Sequence, residues 1–233
     1  AFIQRGEAGR AGAFQVRNRL VQDYDFSHAL ATIFTPKLYA QEPNVFPLID
    51  GARKAPRGSR SSDAQPDLTN PRTVEIAAEA VRSYFEKYPL KTSISLALND
   101  TMNFDESAAT QAVVAPLQYF RGRPNYTELV FQFMNAVAEQ VFEDEALLWT
   151  ADGRPRYLTQ LAYYWTEESP DFKLHPRVMP ILTSDRAQWH DPAYRAEDQA
   201  LIRRWCDAGA ERVATWDYYY GPAYPYPRQF SQW

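Results

Sequence analysis

Acids fall at four places where a chain of alternating strands and helices would end its strands. They are Asp100 in Asn99-Asp100, Glu167-Glu168 after Trp165, Asp185 before Arg186, and Asp217 between Trp216 and Tyr218. In parallel α/β folds the carboxyl ends of the strands converge on one face, and ligands bind there. Cleaving a glycosidic bond requires a protonated carboxyl at the leaving oxygen. It also requires a second group to attack or stabilise the oxocarbenium-like centre, a task that two acids of unequal pKa can share. Asp100 is the first candidate acid, with Asp105, Glu106 or Asp217 as the second carboxylate. Asn99, beside Asp100, would orient a substrate amide in a substrate-assisted variant. The competing readings are a helix-cap or turn acid for Asp100 and a solvated loop pair for Asp105-Glu106.

Rings supply the other half of such a site. The chain has 15 Tyr, 13 Phe and 6 Trp, or 15% of its 233 residues. Flat rings hold sugar faces, although aromatic residues also dominate ordinary cores and interfaces. Tyr163, Tyr164, Trp165, Trp216 and Tyr218 lie at or near expected strand ends, while alternate members must face outer helices. His28 and Asp185 complete the candidate substrate contacts. The three histidines, His28, His175 and His190, lack metal-ligand spacing, and Cys206 is the single cysteine, so neither a metal site nor an internal disulfide is expected. No nucleophile elbow is present, and Gly6-x-x-Gly9-x-x-Gly12 lacks both the spacing and the preceding strand of a dinucleotide fingerprint. No cofactor is therefore expected.

The elements that must position these residues can be read in order. Phe26 to Leu30 resembles a strand end opening into a loop and a short helix, turned at Pro36. Residues 51–68 and 101–124 read as long polar loops, the first a candidate for disorder. Asn70 as N-cap and Pro71 at the first helical position open a helix with Val74, Ala77, Ala78, Val81 and Phe85 at helical spacing. Ser93 to Leu98 alternates small and large residues as a strand. Asn125 with Glu128 suggests a capping box before the apolar stripe Val130, Phe133, Met134, Val137 and Val141. Residues 157–165 and 178–182 read as strands, although Pro180 removes one ladder donor. Asp191-Pro192 opens a helix with Leu201, Ile202 and Trp205 on its buried side, and Gly209 closes it. A last strand spans 212–218, and Cys206 reads as buried.

This order makes a mainly parallel sheet with right-handed crossovers the economical topology. The expected class is α/β, a partial or complete (β/α)₈ TIM-like barrel formed by residues 1–233 as one domain, with a flavodoxin-like sheet as the structural alternative. Beginning at Ala1, the chain is expected to be a piece of a longer protein. A formal charge of −4 and a pI near 5.5 argue against a nucleic-acid partner. The basic group Arg53, Lys54, Arg57 and Arg60 reads as a solvated loop. No run of 18 apolar residues exists that would span a membrane.

Several stretches resemble the bacterial domain of unknown function 4838 family. They are Phe26-Ser27-His28-Ala29-Leu30, Pro36-Lys37-Leu38-Tyr39, Pro43-Asn44-Val45-Phe46, Leu96-Ala97-Leu98-Asn99-Asp100, Leu161-Ala162-Tyr163-Tyr164 and Val213-Ala214-Thr215-Trp216-Asp217-Tyr218-Tyr219. The resemblance runs in order over about residues 24–228. It implies a glycoside-hydrolase-like barrel, similar in layout to α-glucuronidases and β-hexosaminidases, within long exported proteins, and hence a periplasmic or extracellular location. It puts Asn99-Asp100 where retaining hexosaminidases hold an acid or amide-acid pair. Family members often carry a small cysteine cluster in the following loop, whereas 101–124 has none. The expected activity is glycoside hydrolysis on a polysaccharide or oligosaccharide. The alternative, a non-catalytic barrel that binds carbohydrate or a partner protein, predicts the same rings without two acids about 5 to 10 Å apart.

Overall fold

Four parallel strands, β3 (Ser93–Ser95), β6 (Tyr157–Ala162), β7 (Val178–Leu182) and β8 (Ala214–Thr215), stand side by side in that order. The structure, a computed structural model, describes residues 24–58 and 64–216. A parallel bridge from His28 to Ala97 continues the sheet on the far side of β3. Spatial order therefore follows chain order from one edge to the other. The molecule is a mixed α/β structure around a parallel sheet, as the strand and helix alternation implies. The sequential order disagrees with the flavodoxin-like alternative, in which strand order reverses at a switch point.

Strand register explains the two faces. Ile94, Leu96, Leu98, Leu158, Ala162, Val178 and Leu182 point to one side and join the main core with the buried residues of three long helices. These helices are α3 (Pro71–Lys87), α5 (Thr127–Phe142) and α6 (Pro192–Asp207). Asn70 accepts a bond from Arg72 N and Asp191 accepts bonds from Ala193 N and Tyr194 N, so both caps act as their sequence positions suggest. Trp205 on α6 is fully buried; its indole donates to Glu167 O at 2.9 Å and its ring lies 4.9 Å from Phe131.

The opposite face holds Tyr157, Met179 and Ile181, packed against Tyr24 and Phe26. Its β3 residues are small, Ser93, Ser95 and Ala97, because the chain 25–28 passes directly over them. Ser93 Oγ accepts from Asp25 N at 2.7 Å, Ser95 Oγ donates to Ser27 O at 2.6 Å, and the Thr159 hydroxyl donates to Asp25 O. Side-chain hydroxyls thus satisfy backbone groups that a full strand ladder would otherwise take up. Phe26 lies over this face and also meets Trp216, just beyond β8, with ring centroids 4.7 Å apart.

Several expectations change. The 51–68 loop begins within a hairpin, β1 (Leu48–Ile49) and β2 (Ala52–Arg53), turned by Asp50-Gly51 with both residues at positive φ. Gln65, Asp67 and Leu68 are buried rather than disordered, and Arg53, expected in a solvated loop, is half-buried against Asp67 and Asp105. The 101–124 loop contains helix α4 (Ala108–Val114) and a second hairpin, β4 (Tyr119–Phe120) and β5 (Arg123–Pro124), turned by Arg121-Gly122. Two four-residue helices, α1 (Leu30–Ile33) and α2 (Pro36–Tyr39), follow His28.

Asn125 and Glu128 do not form a capping box. Asn125 accepts from Thr127 N, and Glu128 instead accepts from Asp171 N. Strand β6 stops at Ala162, where residues 164–166 form a 3-10 turn. Pro180 costs no ladder bond. Thr183 N donates to Ala162 O and Trp216 N to Leu182 O, so even-numbered β7 residues face β8, and β8 pairs only from Ile181 onward. Cys206 is exposed, on the solvent side of α6, rather than buried.

Candidate functional site

Because every strand of the sheet runs the same way, residues that follow β3, β6 and β7 gather along one edge. Asp100 follows β3 there with its side chain 61% exposed, and its Oδ1 lies 4.0 Å from His28 Nε2. His28 is aimed by its other ring nitrogen, which sits 2.5 Å from Leu98 O. The His28 ring stands 6.3 Å from that of Tyr163. His28, Leu98, Asn99, Leu161, Tyr163, Trp165 and Thr166 surround a hollow of only about 10 Å³, no larger than a single water needs. A solvent-facing acid, an imidazole and two rings are therefore brought together by the segment before α1 and by the residues that follow β3 and β6.

Asn99 has a different task from the one its type suggests. It is buried, its Oδ1 accepts from Ala31 N, and its Nδ2 donates to Ala64 O. Gln65 grips its backbone from both sides, accepting from Asn99 N at 2.9 Å and donating to Asn99 O at 2.8 Å. The amide clamps the loop that follows His28 and fixes the backbone direction from which Asp100 projects.

Asp105 is likewise buried and turned to the β1–β2 hairpin. Its carboxylate accepts from Leu48 N, Ser107 N and the Thr110 hydroxyl at 2.7, 3.0 and 2.7 Å, and Arg53 Nη1 lies 3.4 Å away. Burial pushes its pKa up, but these hydrogen bonds together outweigh burial and hold it below the usual carboxylate range. A carboxylate so occupied is a poor proton donor at neutral pH. Glu106 is exposed and accepts from Asp50 N. Asp185 accepts from Gln188 in the turn after β7. Asp217 and Tyr218 lie outside the described residues, one and two positions after the exposed Trp216.

The rings continue along this edge. Tyr164 lies 4.3 Å from Tyr163 and 5.5 Å from Trp165 between centroids. Its backbone is left-handed, φ 53°, which a non-glycine residue adopts only when its surroundings impose it. Buried Thr166 supplies that constraint: its hydroxyl donates to Leu161 O at 2.8 Å and accepts from Tyr163 N at 3.3 Å. The Arg123 guanidinium covers Tyr164 at 4.1 Å.

Arg123 belongs to a charge cluster that the sequence reading passed over. Arg121, on the tip of the second hairpin, contacts Glu167 and lies 3.4 Å from the fully buried Asp198 and 4.6 Å over the Tyr194 ring. Burial raises the Glu167 pKa, with Arg121 and Arg123 opposing it. The same burial pushes the Tyr194 hydroxyl up to about 12. The cluster fastens the β4–β5 hairpin to the carboxyl edge of β6 and to α6. Only the adjacent Glu167-Glu168 hinted at it, since Arg121 and Asp198 are 77 residues apart. Among the described residues, no group of three or more histidine, cysteine or acidic side chains could hold a metal ion, and no helix is long and apolar enough to cross a membrane.

A family model described as a domain of unknown function, DUF4838, matches residues 4–230. No curated protein and no solved structure matches the chain.

Proposed function

The chain belongs to the DUF4838 family, and from that premise we propose that it is the arc of a (β/α) barrel that hydrolyses a glycan by carboxylate acid–base chemistry. The barrel reading is supported by a parallel sheet whose strands are sequential, with the long helices on one face. The observation that carries the catalytic reading is the solvent-facing Asp100 beyond the carboxyl end of β3, 4.0 Å from His28, whose ring neighbours Tyr163. Asp100 acts as general acid or orients the substrate, and Asp217 is the second carboxylate. Strand β8, which ends two residues before Asp217 in the chain, runs parallel to β3 in the same sheet, which favours a common edge. Asp105 is set aside because its lone pairs are taken, and Glu106 holds the first hairpin. Tyr163, Trp165 and Trp216 line the sugar subsites, and the protein works in the periplasm or outside the cell.

The test is turnover of a panel of aryl glycosides by the wild-type chain, Asp100→Asn and Asp217→Asn. Loss of a general acid or base costs about 10²–10⁴-fold in rate, so each variant should fall by at least that lower bound on the substrate that the wild type cleaves. Equal turnover by Asp100→Asn and the wild type would remove Asp100 from the chemistry. Binding without turnover by any of the three would favour the non-catalytic carbohydrate-binding barrel.

A further inference from the structure

The surroundings of His28 decide which of its ring nitrogens carries the hydrogen. Nδ1 lies 2.5 Å from Leu98 O, and a carbonyl can only accept, so Nδ1 is the donor. That carbonyl cannot turn away. It belongs to the planar peptide joining Leu98 to Asn99, whose N–H, on the opposite side of the trans bond, donates to Oε1 of the buried Gln65 at 2.9 Å. One residue earlier, Leu98 N donates to Oε1 of the buried Gln160 at 3.1 Å. Two glutamines thus fix the carbonyl, and the carbonyl fixes the tautomer. Neutral His28 therefore turns an Nε2 lone pair toward Asp100 Oδ1, 4.0 Å away.

Two acceptors facing each other cannot bond to each other. Their separation is nevertheless short enough that donors placed between them reach both at ordinary lengths of about 2.7–3.2 Å. The two side chains are 34% and 61% exposed, so such donors can arrive from solution, and the adjoining hollow is too small to admit a sugar. Among the described residues no third imidazole, thiol or acid joins the pair to make a metal-ligand group, which suits hydroxyl donors better than a metal ion.

We propose that His28 is a specificity-determining residue: its Nε2 and the Asp100 carboxylate accept hydrogen bonds from two adjacent hydroxyls of one sugar unit, flanked by the Tyr163 ring. This inference rests on the glycan reading above and narrows its substrate class to glycans whose unit at this site keeps a free vicinal diol. Of the two roles open to Asp100, it takes the orienting one. A unit blocked at either hydroxyl leaves an acceptor without its donor and binds less well.

Two measurements test it. Nitrogen NMR of the full chain labelled at histidine, at about pH 8 where an imidazole is neutral, should find the His28 hydrogen on Nδ1. Calorimetry then compares xylotetraose, cellotetraose and mannotetraose with their per-O-methylated counterparts, which keep the rings and lose the hydroxyl donors. A hydrogen bond to a charged group corresponds to about tenfold or more in affinity. The wild type should bind at least one free tetraose more tightly than its methylated form by that factor. His28→Phe should weaken binding of that tetraose about tenfold, and His28→Gln, whose amide oxygen can accept in place of Nε2, should recover most of the loss. Asp100→Asn, at an exposed position, keeps the test readable if His28→Phe folds poorly: its amide can donate to Nε2 directly, closing the pair on itself, so binding should fall. A hydrogen on Nε2, equal affinity for free and methylated tetraoses, or wild-type binding by His28→Phe would overturn the proposal. Asp100-dependent turnover with His28-independent binding would sink only this inference, whereas His28-dependent binding without turnover would sink only the catalytic reading. Failure to bind any tetraose would remove the glycan reading and this inference with it.

Discussion

Three hydrogen-bond donors converge on the Asp105 carboxylate, and a guanidinium stands beside them. This favours the charged form of Asp105 in the folded state. Its pKa is depressed on folding, so its contribution to stability is fully present above the unfolded value of about 3.9 and is lost as pH falls through the lower folded value. Asp105→Asn should therefore lose about 1.5–3 kcal/mol at pH 7, with the gap closing in strongly acidic solution, as urea titrations at both pH values would report. A constant gap at all pH values would mean that the charge contributes nothing. None of this could be read locally. Leu48 and Arg53 are 57 and 52 residues from Asp105, and a carboxylate in a polar stretch looks the same whether it faces solvent or a distant hairpin. Asp100 was legible because a strand end is a local signal.

At the scale of elements, the long helices were readable from their ends. Asn70-Pro71 and Asp191-Pro192 both cap and start helices where they stand in the sequence. Gly209 closes α6 at φ 100°, and a Cβ there would meet Leu174 O at 3.3 Å. Gly209→Ala should therefore lower stability by about 1–2 kcal/mol or more in chemical denaturation, because an L side chain is strained in this backbone region. An unchanged midpoint would show that the turn relaxes freely. The hairpins were harder to read. Asp50-Gly51 is a strong turn signal, but its strands are two residues long and show no alternation. Arg121-Gly122 carries a residue rarely found at positive φ, held there by the buried acids around its guanidinium. Tertiary bonding, rather than local propensity, makes that turn.

On the scale of the whole molecule, the relation that matters is the contact between the segment before α1 and the residue after the last strand. Phe26 and Trp216 touch across the face over which Tyr24 and Phe26 pack. Aromatic pairs couple by about 0.5–1.5 kcal/mol beyond their burial. A double-mutant cycle with Phe26→Ala and Trp216→Ala should return a coupling in that range; strict additivity would mean that the two rings do not meet in solution. Parallel alternation was legible from the order of elements, and strand neighbours followed chain order. The ring contact over the sheet was not legible, since Phe26 and Trp216 are far apart in the chain.

The hydroxyl contacts beneath residues 25–27 have one more consequence. Ser93, Ser95 and Thr159, all buried, hold that stretch through their hydroxyls, and past it Ala29 N and Leu30 N both donate to Ala97 O while Ala31 N donates to Asn99 Oδ1. The segment that carries His28 is therefore moored on both sides of the imidazole, and the same sheet residues that anchor it lead directly into Asp100.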